Sequence, residues 1–311
     1  MQKSKLVVIL GPTATGKTKI SVELASVFNG EIISADSRQV YIGLDIGSGK
    51  DLKEYTVTKD NGEIIQIPHH LIDIADPKKD FNLADFKKLA QIAIDKISAQ
   101  HKLPILVGGS GLYLQSVVDG FSLNNASPDE ALRESLEDKT IEELFEKINR
   151  MNSDFAQKIN NSDKNNKRRL IRYIEIIGKN NVFEKNNKES IYDTLIIGIN
   201  FPKDVIHERI KERLKIRLEK EDLIEEVKRL HEEGLSYRKL ESFGLEYRYI
   251  ALYLQKKLSQ KEMFDKLFIA IKQFAKKQMT WFHRWEKMGA KINWVNDIIE
   301  AKSLIESFIK K

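Results

Sequence analysis

Residues 6–18 read Leu6-Val7-Val8-Ile9-Leu10-Gly11-Pro12-Thr13-Ala14-Thr15-Gly16-Lys17-Thr18. The run up to Leu10 is entirely apolar and rich in β-branched residues, which is typical of a strand buried on both faces of a parallel sheet. Gly11 to Thr18 match the pattern G-x-x-x-x-G-K-S/T, and an apolar helix start follows at Ile20. A strand that leads through such a loop into a helix predicts the first unit of an α/β fold.

This loop predicts a binding site for a phosphate group. Its backbone N–H groups can point inward, the following helix adds partial positive charge, and Lys17 adds a full one. The Thr18 hydroxyl is a suitable ligand for Mg²⁺. The expected phosphate-binding residues are Gly11, Pro12, Thr13, Ala14, Thr15, Gly16, Lys17 and Thr18. The pattern alone also fits a structural glycine turn, and it does not identify the phosphate compound.

The composition is that of an ordinary globular protein. The 311 residues are 41% hydrophobic and 32% charged, with a net charge of +6. The lack of cysteine excludes disulfides, thiolate metal sites and cysteine nucleophiles, and it fits a cytoplasmic protein. No signal peptide is evident and no apolar run approaches membrane-spanning length, so we expect no membrane partner. The mildly basic charge is compatible with an anionic polymer partner but does not require one.

Strands and helices alternate in the first third of the chain. Besides the strand at 6–10, buried strands are predicted at 31–35 and 104–109, with a helix at 86–97 between them. This alternation predicts an α/β fold with a P-loop parallel sheet flanked by helices. The segment 55–67 alternates polar and apolar residues around an Asn-Gly pair, which predicts an inserted β-hairpin.

The pattern changes after about residue 120, where short helices and polar breaks such as 185–188 predict a small helical insertion domain. A strand at 194–199 then returns the chain to the sheet. Amphipathic helices are predicted at about 203–234, 245–257 and 260–288, before a strand at 291–295 and a last helix. The predicted domains are the first part of the core at 1–122, the insertion at 123–190, and the return strand with the basic C-terminal helices at 191–311.

Asp36 stands at the carboxyl end of the second predicted strand. In an open α/β sheet these ends face the ligand crevice, so we expect Asp36 close to the phosphate loop. A carboxylate beside a phosphate is repulsive unless it ligates Mg²⁺, directly or through water, or takes a proton from an acceptor. A helix N-cap is the structural alternative.

The third strand ends in a glycine run at 108–111 and lacks a terminal acid, which argues against a motor or switch NTPase. That run fits close backbone approach to a ligand or a plain tight turn. The pair His69-His70 has no further ligand at useful spacing, so a structural role is favoured over a metal site.

Arginines in two segments are candidates for binding phosphates. The segment 166–172 places Arg169 and Arg172 on one face of a helix, although a solvated helix face explains them equally well. Arg209 and Arg213 lie one turn apart after the return strand, where they fit either a phosphate fork or surface pairs with glutamate. Lysines interleaved with aromatic residues between 203 and 287 are the pattern expected for RNA backbone contact, although such aromatics are more often core.

Taken together, these segments resemble the tRNA dimethylallyltransferase family, also called tRNA isopentenyltransferases. The motifs occur in family order along nearly the whole chain. They are Gly-Pro-Thr-Ala-Thr-Gly-Lys-Thr at 11–18, Ile-Ile-Ser-Ala-Asp-Ser-Arg-Gln-Val-Tyr at 32–41, Gly-Leu-Asp-Ile-Gly at 43–47, His-His-Leu-Ile-Asp-Ile at 69–74, Val-Gly-Gly-Ser-Gly-Leu-Tyr at 107–113, Arg-Arg-Leu-Ile-Arg at 168–172, Gly-Leu-Glu-Tyr-Arg at 244–248 and Ala-Lys-Lys-Gln-Met-Thr-Trp-Phe at 275–282.

The resemblance implies a loop that binds dimethylallyl diphosphate rather than ATP, and prenylation of N6 on the tRNA adenosine that lies 3′-adjacent to the anticodon. It implies catalytic roles for Asp36 as general base and for Thr18 and Arg213 as a diphosphate clamp. Mg²⁺ is the expected cofactor, on Thr18 and, through water, on Asp36. The implied contacts to the tRNA anticodon stem-loop are Asp36, Ser37, Arg38, Gln39, Ser110, Arg133, Arg168, Arg169, Leu170, Ile171, Arg172, Tyr247 and Arg248. A monomer is expected.

The chain departs from the family pattern at several positions. The family usually has Gly-Thr-Ala-Lys-Pro where this chain has Gly47-Ser48-Gly49-Lys50-Asp51. It usually has Thr at the position of Ser110, and many members have Gly at the position of Glu246. An acid at that last position puts the neighbouring tRNA contact in question.

Two other functions are compatible with parts of the sequence. A small-molecule kinase with the same loop leaves the basic C-terminal helices unexplained. A non-catalytic RNA-binding protein leaves the intact Lys17, Thr18 and Asp36 unexplained.

Overall fold

The structure is a computed structural model that describes residues 3–59, 61–120, 129–179 and 190–310. The chain forms two compact units: the core unit, Met1–Gly120 with Glu189–Lys311, and the insertion unit, Phe121–Lys188. The predicted boundary at 122/123 and the polar break at 185–188 lie outside the described residues.

Six parallel strands form the sheet of the core unit. They are β1 Lys5–Leu10, β2 Gly30–Ser34, β5 His69–His70, β6 Leu103–Gly108, β7 Asp193–Ile199 and β8 Ile292–Val295. Their order across the sheet is β5-β2-β6-β1-β7-β8. A separate antiparallel hairpin pairs β3 Thr56–Thr58 with β4 Ile64–Gln66. The predicted parallel sheet and the predicted hairpin are both confirmed.

Helices make up most of the remaining regular structure in both units. Those of the core unit are α1 Lys17–Val27, α2 Leu83–Ala99, α3 Gly111–Val118, α9 Lys203–Glu219, α10 Leu223–Glu232, α11 Tyr237–Ser242, α12 Leu245–Leu254, α13 Gln260–Lys287 and α14 Ile298–Ile309, with a short 3₁₀ helix at Leu52–Tyr55. Those of the insertion unit are α4 Glu130–Ser135, α5 Ile141–Met151, α6 Ser153–Lys158, α7 Asn161–Lys164 and α8 Lys167–Gly178. The helix predicted over 203–234 is interrupted before Asp222, whose φ of 57° ends regular helix geometry.

Strand β1 is buried on both faces, as its uninterrupted apolar run predicts. Leu6, Val8 and Leu10 point into one apolar cluster, which α2, α3 and α13 complete. Val7 and Ile9 point into the opposite cluster, which α1 and α14 cover. The sheet is therefore covered by helices on both sides, and the carboxyl ends of its strands share one edge.

A third apolar cluster joins the segment after β2 to the C-terminal helices. Val40 and Leu44 pack there with Leu214 of α9, Val227 of α10 and Leu267 of α13. This packing brings helices from the end of the chain to the edge of the sheet where β1 and β2 end. Among the described residues, none of the helices has the length and apolar content that crossing a membrane requires.

The ends of β2 and β6 approach each other closely because Gly108 has no side chain. A Cβ atom at this position would lie 2.3 Å from the backbone oxygen of Ala35. Backbone atoms cannot rotate away as a flexible side chain can, so a side chain here would force the two strands apart.

We expect Gly108→Ala to lower the free energy of unfolding by about 1–3 kcal/mol through overpacking. Urea unfolding followed by circular dichroism measures the change. Gly178→Ala is the control, because a Cβ atom there would make an ordinary 3.7 Å contact with Met151. Equal stability of Gly108→Ala and the wild type would contradict the close approach of β2 and β6.

Candidate active site

The loop between β1 and α1 has the geometry of an anion-binding turn. Gly16 precedes α1 with a φ of 75° and makes no side-chain cap, and Ala14 has a φ of 64°. A positive φ is rare for a residue with a side chain, and such conformations concentrate at functional sites. The first N–H groups of α1 have no acceptor within the helix and remain suited to an anion.

Lys17 at the start of α1 is held inside this loop. Its Nζ donates a hydrogen bond to the backbone oxygen of Pro12 at 2.7 Å. Desolvation by burial, followed by the nearby Arg213 guanidinium, lowers the pKa of Lys17 to about 7, while the Asp36 carboxylate opposes the shift. A desolvated cation beside a second cation favours the binding of an anion, because an anion offsets both the lost hydration and the repulsion between the two cations.

Arg213 of α9 reaches the loop directly. Its Nη2 donates to Oγ1 of Thr13 at 2.6 Å. Desolvation, followed by the neighbouring Arg217, lowers its pKa to about 10, so it stays charged at neutral pH. Arg209, one turn earlier, instead stacks on the ring of Phe201 at 4.2 Å. The structure therefore separates the two arginines that the sequence presented as a pair.

Gln278 of α13 is a site residue that the sequence analysis missed. Its Oε1 accepts from the backbone N–H of Thr13 at 2.9 Å, and its Nε2 donates to the backbone oxygen of Gly109 at 2.9 Å. The side chain is buried, and it ties the phosphate loop to the end of β6. Its place in the family motif at 275–282, as the uncharged polar residue directly after Lys276 and Lys277, was a signal available in the sequence.

The glycine run after β6 is explained by packing against α13. The sequence interpretations, close approach to a ligand or a tight turn, did not include this packing. A Cβ atom on Gly109 would lie 2.3 Å from Nε2 of Gln278, and one on Gly111 would lie 2.2 Å from Cδ1 of Trp281. The lack of a side chain at Gly109 and Gly111 therefore leaves room for side chains of α13.

Asp36 lies just beyond the end of β2, and β6 separates β2 from β1. Its Oδ1 accepts from the backbone N–H of Arg38 at 2.8 Å, which closes a turn. Residues 37–40 form turns and no helix begins there, so the N-cap alternative for Asp36 is wrong. Its Oδ2 has no hydrogen-bond partner among the residues that the structure describes, and the side chain is half-exposed. The Asp36 carboxylate can thus accept a further hydrogen bond, and it lies close enough to Lys17 for their charges to interact.

The residues around Asp36 are partly engaged in support of its turn. Gln39 accepts from the Ser34 hydroxyl at 2.7 Å and donates to the backbone oxygen of Gly49 at 2.8 Å. Ser37 and Arg38 are half-exposed. Ser110, half-exposed at the N-terminus of α3, makes no capping hydrogen bond with its side chain.

A buried carboxylate holds the neighbouring segment. Glu226 of α10 accepts from the backbone N–H groups of Asp45, Ile46 and Gly47 and from the Tyr247 hydroxyl, at 2.7–3.2 Å. The Tyr247 side chain is buried, so the predicted tRNA contact by this side chain does not fit its position. Arg248 beside it is exposed and donates to the backbone oxygen of Glu241.

Lys50 is a structural lysine. It is 1% exposed, and its Nζ donates to the backbone oxygen of Tyr41 and pairs with Asp45 and Asp73. His70 pairs with Glu31 at 2.7 Å, which fits the structural role expected for the histidine pair. Among the described residues, no group of three or more His, Cys, Asp or Glu side chains could hold a metal ion.

Comparison with known proteins assigns the family. The model of the IPP transferase family matches residues 39–285, and that of the isopentenyl transferase family matches residues 4–60. The chain belongs to the tRNA dimethylallyltransferase, or IPP transferase, family. The resemblance inferred from the motifs is confirmed.

Individual members of this family align over nearly their full length. tRNA dimethylallyltransferase 1 of Geotalea daltonii is 44% identical over 294 residues, which cover 94% of this chain and 90% of that protein. tRNA dimethylallyltransferase 2 of Treponema denticola is 46% identical over 299 residues, with coverage of 94% and 96%. The crystal structure of the tRNA isopentenylpyrophosphate transferase of Bacillus halodurans matches with a TM-score of 0.70 at 36% identity, covering 99% of this chain and 97% of that one.

In the insertion unit, acids hold several of the arginines selected from the sequence. Arg133 and Arg172 both pair with Glu175, at 2.6 Å and 2.9 Å. Arg169 pairs with Asp163. Arg168 is exposed and makes no ion pair among the described residues.

The apolar members of the same segment are not surface residues. Leu170 is fully buried in the core of the insertion unit, and Ile171 is half-buried. A direct tRNA contact by the Leu170 side chain therefore does not fit its position, and packing explains its place in the motif.

We expect Gln278→Leu to weaken the affinity for inorganic pyrophosphate and to cost about 1–3 kcal/mol of stability, because the backbone groups of Thr13 and Gly109 lose their partner. Calorimetric titration with pyrophosphate and urea unfolding measure the two effects. Gln273→Leu, at an exposed position of the same helix, is the matched control. If pyrophosphate affinity stays at the wild-type value, Gln278 does not shape the loop.

Proposed function

We propose that the core unit binds dimethylallyl diphosphate at the loop 11–18 and transfers its dimethylallyl group to N6 of the tRNA adenosine 3′-adjacent to the anticodon. As a member of its family, the chain is a tRNA-modifying prenyltransferase. The observation that carries the proposed chemistry is the position of Lys17 and Asp36 at one edge of the sheet, close enough for their charges to interact.

Release of diphosphate requires neutralisation of the negative charge that develops on the leaving group. We assign this role to the N–H groups of the loop, the Lys17 ammonium and the Arg213 guanidinium. Arg213 is well suited, because a guanidinium donates to phosphate oxygens in a fork and its present acceptor, the Thr13 hydroxyl, lies within the loop. Gln278 preserves the loop conformation during this step.

The donor set fits Mg²⁺ as an ion bound jointly with the substrate. Mg²⁺ is usually held by one or two protein oxygens together with substrate phosphates, rather than by a complete protein cage. Thr18 offers a half-exposed hydroxyl at the start of α1, and Asp36 offers a carboxylate for contact through water. When bound, the ion would supply further positive charge toward the diphosphate.

Asp36 is proposed as the general base. The exocyclic amine of adenine is a weak nucleophile, and its attack becomes easier as its proton is removed. A bond forms between N6 and the allylic carbon while the bond from that carbon to oxygen breaks. The electron pair leaves with diphosphate, and Asp36 takes one proton from N6.

A base in RNA must leave its stack before it can reach such a site, and a loop nucleotide does so at low cost. The half-exposed residues Ser37, Arg38 and Ser110 near Asp36, and exposed Arg248, are proposed to contact the tRNA. In the insertion unit, we propose phosphate contacts by exposed Arg168 and Arg169 and by Arg133 and Arg172. The monomeric state and the cytoplasmic location stay predictions.

Incubation of the enzyme with dimethylallyl diphosphate and bulk tRNA, followed by mass analysis of the nucleosides, tests this function. The expected product is adenosine that carries one dimethylallyl group, with release of diphosphate. Sequencing of modified tRNA then gives the position of the adenosine. Unmodified tRNA with all substrates present would refute the proposal, and ATP turnover on a small acceptor would support a kinase instead.

We expect Asp36→Asn to lower the single-turnover transfer rate by about 10²–10⁴-fold, the usual loss for a general base. Affinity for tRNA, measured by filter binding, should be retained because the amide keeps the shape of the side chain. A near-normal transfer rate would remove Asp36 from the chemistry.

Thr18→Ala and Arg213→Ala should both raise the KM for dimethylallyl diphosphate and lower kcat, while tRNA affinity is retained. The former loses the proposed Mg²⁺ ligand, and the latter loses a charge-assisted contact to the leaving group. Arg209→Ala, one turn earlier on α9 and stacked on Phe201, is the matched control. Steady-state kinetics that match the wild type in either variant would show that the clamp is assigned incorrectly.

Replacement of Arg168 and Arg169 by Gln should weaken tRNA binding. In a plot of the logarithm of the tRNA binding constant against the logarithm of the salt concentration, the slope should become shallower by about 0.7–0.9 per lost phosphate contact. The affinity for dimethylallyl diphosphate should stay unchanged. Arg150→Gln, at a highly exposed site in the same unit, controls for general loss of charge. An unchanged salt slope in the double variant would favour a merely solvated helix face.

A further inference from the structure

Arg217 is a buried cation that the chemistry above does not use. It lies on α9 one helical turn after Arg213, and only 4% of its side chain is exposed. Charged side chains are rarely buried unless they are paired. Its Nη2 donates to Oδ2 of Asp51 at 3.2 Å. A second acid, Glu246, faces it from the start of α12, close enough for their charges to interact.

The backbone around Gly49 is shaped to accept this guanidinium. A Cβ atom at this position would lie 2.6 Å from Nη2 of Arg217. Gly49 also has a φ of 68°, which side chains disfavour. Gly49, Asp51 and Glu246, three positions at which the chain departs from the family pattern, therefore surround one arginine.

The same contacts connect the two halves of the reaction site. On one side, α9 carries Arg213 to the phosphate loop through Thr13. On the other side, the backbone oxygen of Gly49 accepts from Gln39, which accepts from the Ser34 hydroxyl at the end of β2. Asp36 follows that strand end directly. Arg217 joins these two sides, because its fork lies against Gly49 and pairs with Asp51.

We propose that Arg217 is a positioning residue for dimethylallyl transfer: its contacts with Gly49 and Asp51 hold the Asp36 turn at a fixed distance from Arg213 and the phosphate loop. This role rests on the proposed functions of Asp36 and Arg213. Arg217 itself does not bind the diphosphate, because its guanidinium already lies against Gly49 and pairs with the Asp51 carboxylate.

A change in charge near an anion site can alter the reaction without moving any residue. The test therefore separates this electrostatic effect from displacement of the Asp36 turn. Asp51→Asn keeps the shape of the side chain, and Asn is tolerated at the positive φ of 43° found here. Asp51→Asn removes a negative charge near the proposed diphosphate site. If only this change in charge mattered, the affinity for an anion would stay equal or increase. Glu54→Gln is the matched control, because the charge of Glu54 reaches Arg213 and Arg217 and no hydrogen bond joins it to either of them in the described part of the chain.

We expect Asp51→Asn to lower the single-turnover transfer rate by about 10–100-fold, the loss typical of misplaced reacting groups, without loss of pyrophosphate affinity. Glu54→Gln should keep the wild-type rate. Arg217→Lys keeps the charge but loses the planar fork, and it should show the same selective loss of rate. The double variant should be no slower than the slower single variant, because both changes break one contact.

Four results would overturn the positioning role. They are a wild-type rate in Asp51→Asn, a wild-type rate in Arg217→Lys, equal rate losses in Asp51→Asn and Glu54→Gln, and a loss of pyrophosphate affinity in Arg217→Lys that matches its loss of rate. The last result would make Arg217 a direct ligand of the diphosphate. Absence of transfer by the wild-type enzyme is a distinct outcome, because it overturns the proposed function and the role of Arg217 with it.

Discussion

Desolvated positive charge at the loop between β1 and α1 is the constraint around which the core unit is arranged. Lys17 and Arg213 are both held there with lowered pKa values, and the hydrogen bonds that the structure gives them are to a backbone oxygen and a hydroxyl within the loop. Holding two desolvated cations close together costs free energy, which the charges of Asp36 near Lys17 and of Glu246 near Arg213 offset only in part. An anion that enters the loop relieves this cost, so the same feature limits stability and provides affinity.

In the proposed function, the parallel sheet places the anion site beside the groups that the transfer reaction requires. Because β1, β2 and β6 run in the same direction, the loop, the Asp36 turn and the backbone of Gly109 share one edge. The C-terminal helices then supply what the strands lack: Arg213 from α9, Gln278 from α13 and the buried Glu226 from α10. Of the acids beside this site, Asp51 pairs with Arg217, and Asp36 is the proposed base.

The parts of this site that could be predicted from the sequence are local. A strand, a glycine loop and a helix are encoded by adjacent residues, and Asp36 follows from the rule that strand ends share an edge. The supporting contacts could not be predicted, because Gln278 acts on Thr13 across 265 residues and Arg217 on Asp51 across 166. Tyr247 and Leu170 were selected as tRNA contacts from the family resemblance, which does not show which members of a motif point inward, and both side chains are buried. The family resemblance supplied the proposed donor, dimethylallyl diphosphate, which the loop alone does not specify.

The most direct test of the account is a crystal structure of the enzyme with an anticodon stem-loop and an unreactive thio analogue of dimethylallyl diphosphate. The account predicts the diphosphate on the N–H groups of the loop 11–18, with Lys17 and Arg213 turned onto its oxygens. It also predicts the flipped adenine with N6 within hydrogen-bond distance of the Asp36 carboxylate, about 2.6–3.2 Å. A diphosphate bound elsewhere, or an N6 atom that another side chain contacts while Asp36 stays remote, would contradict it.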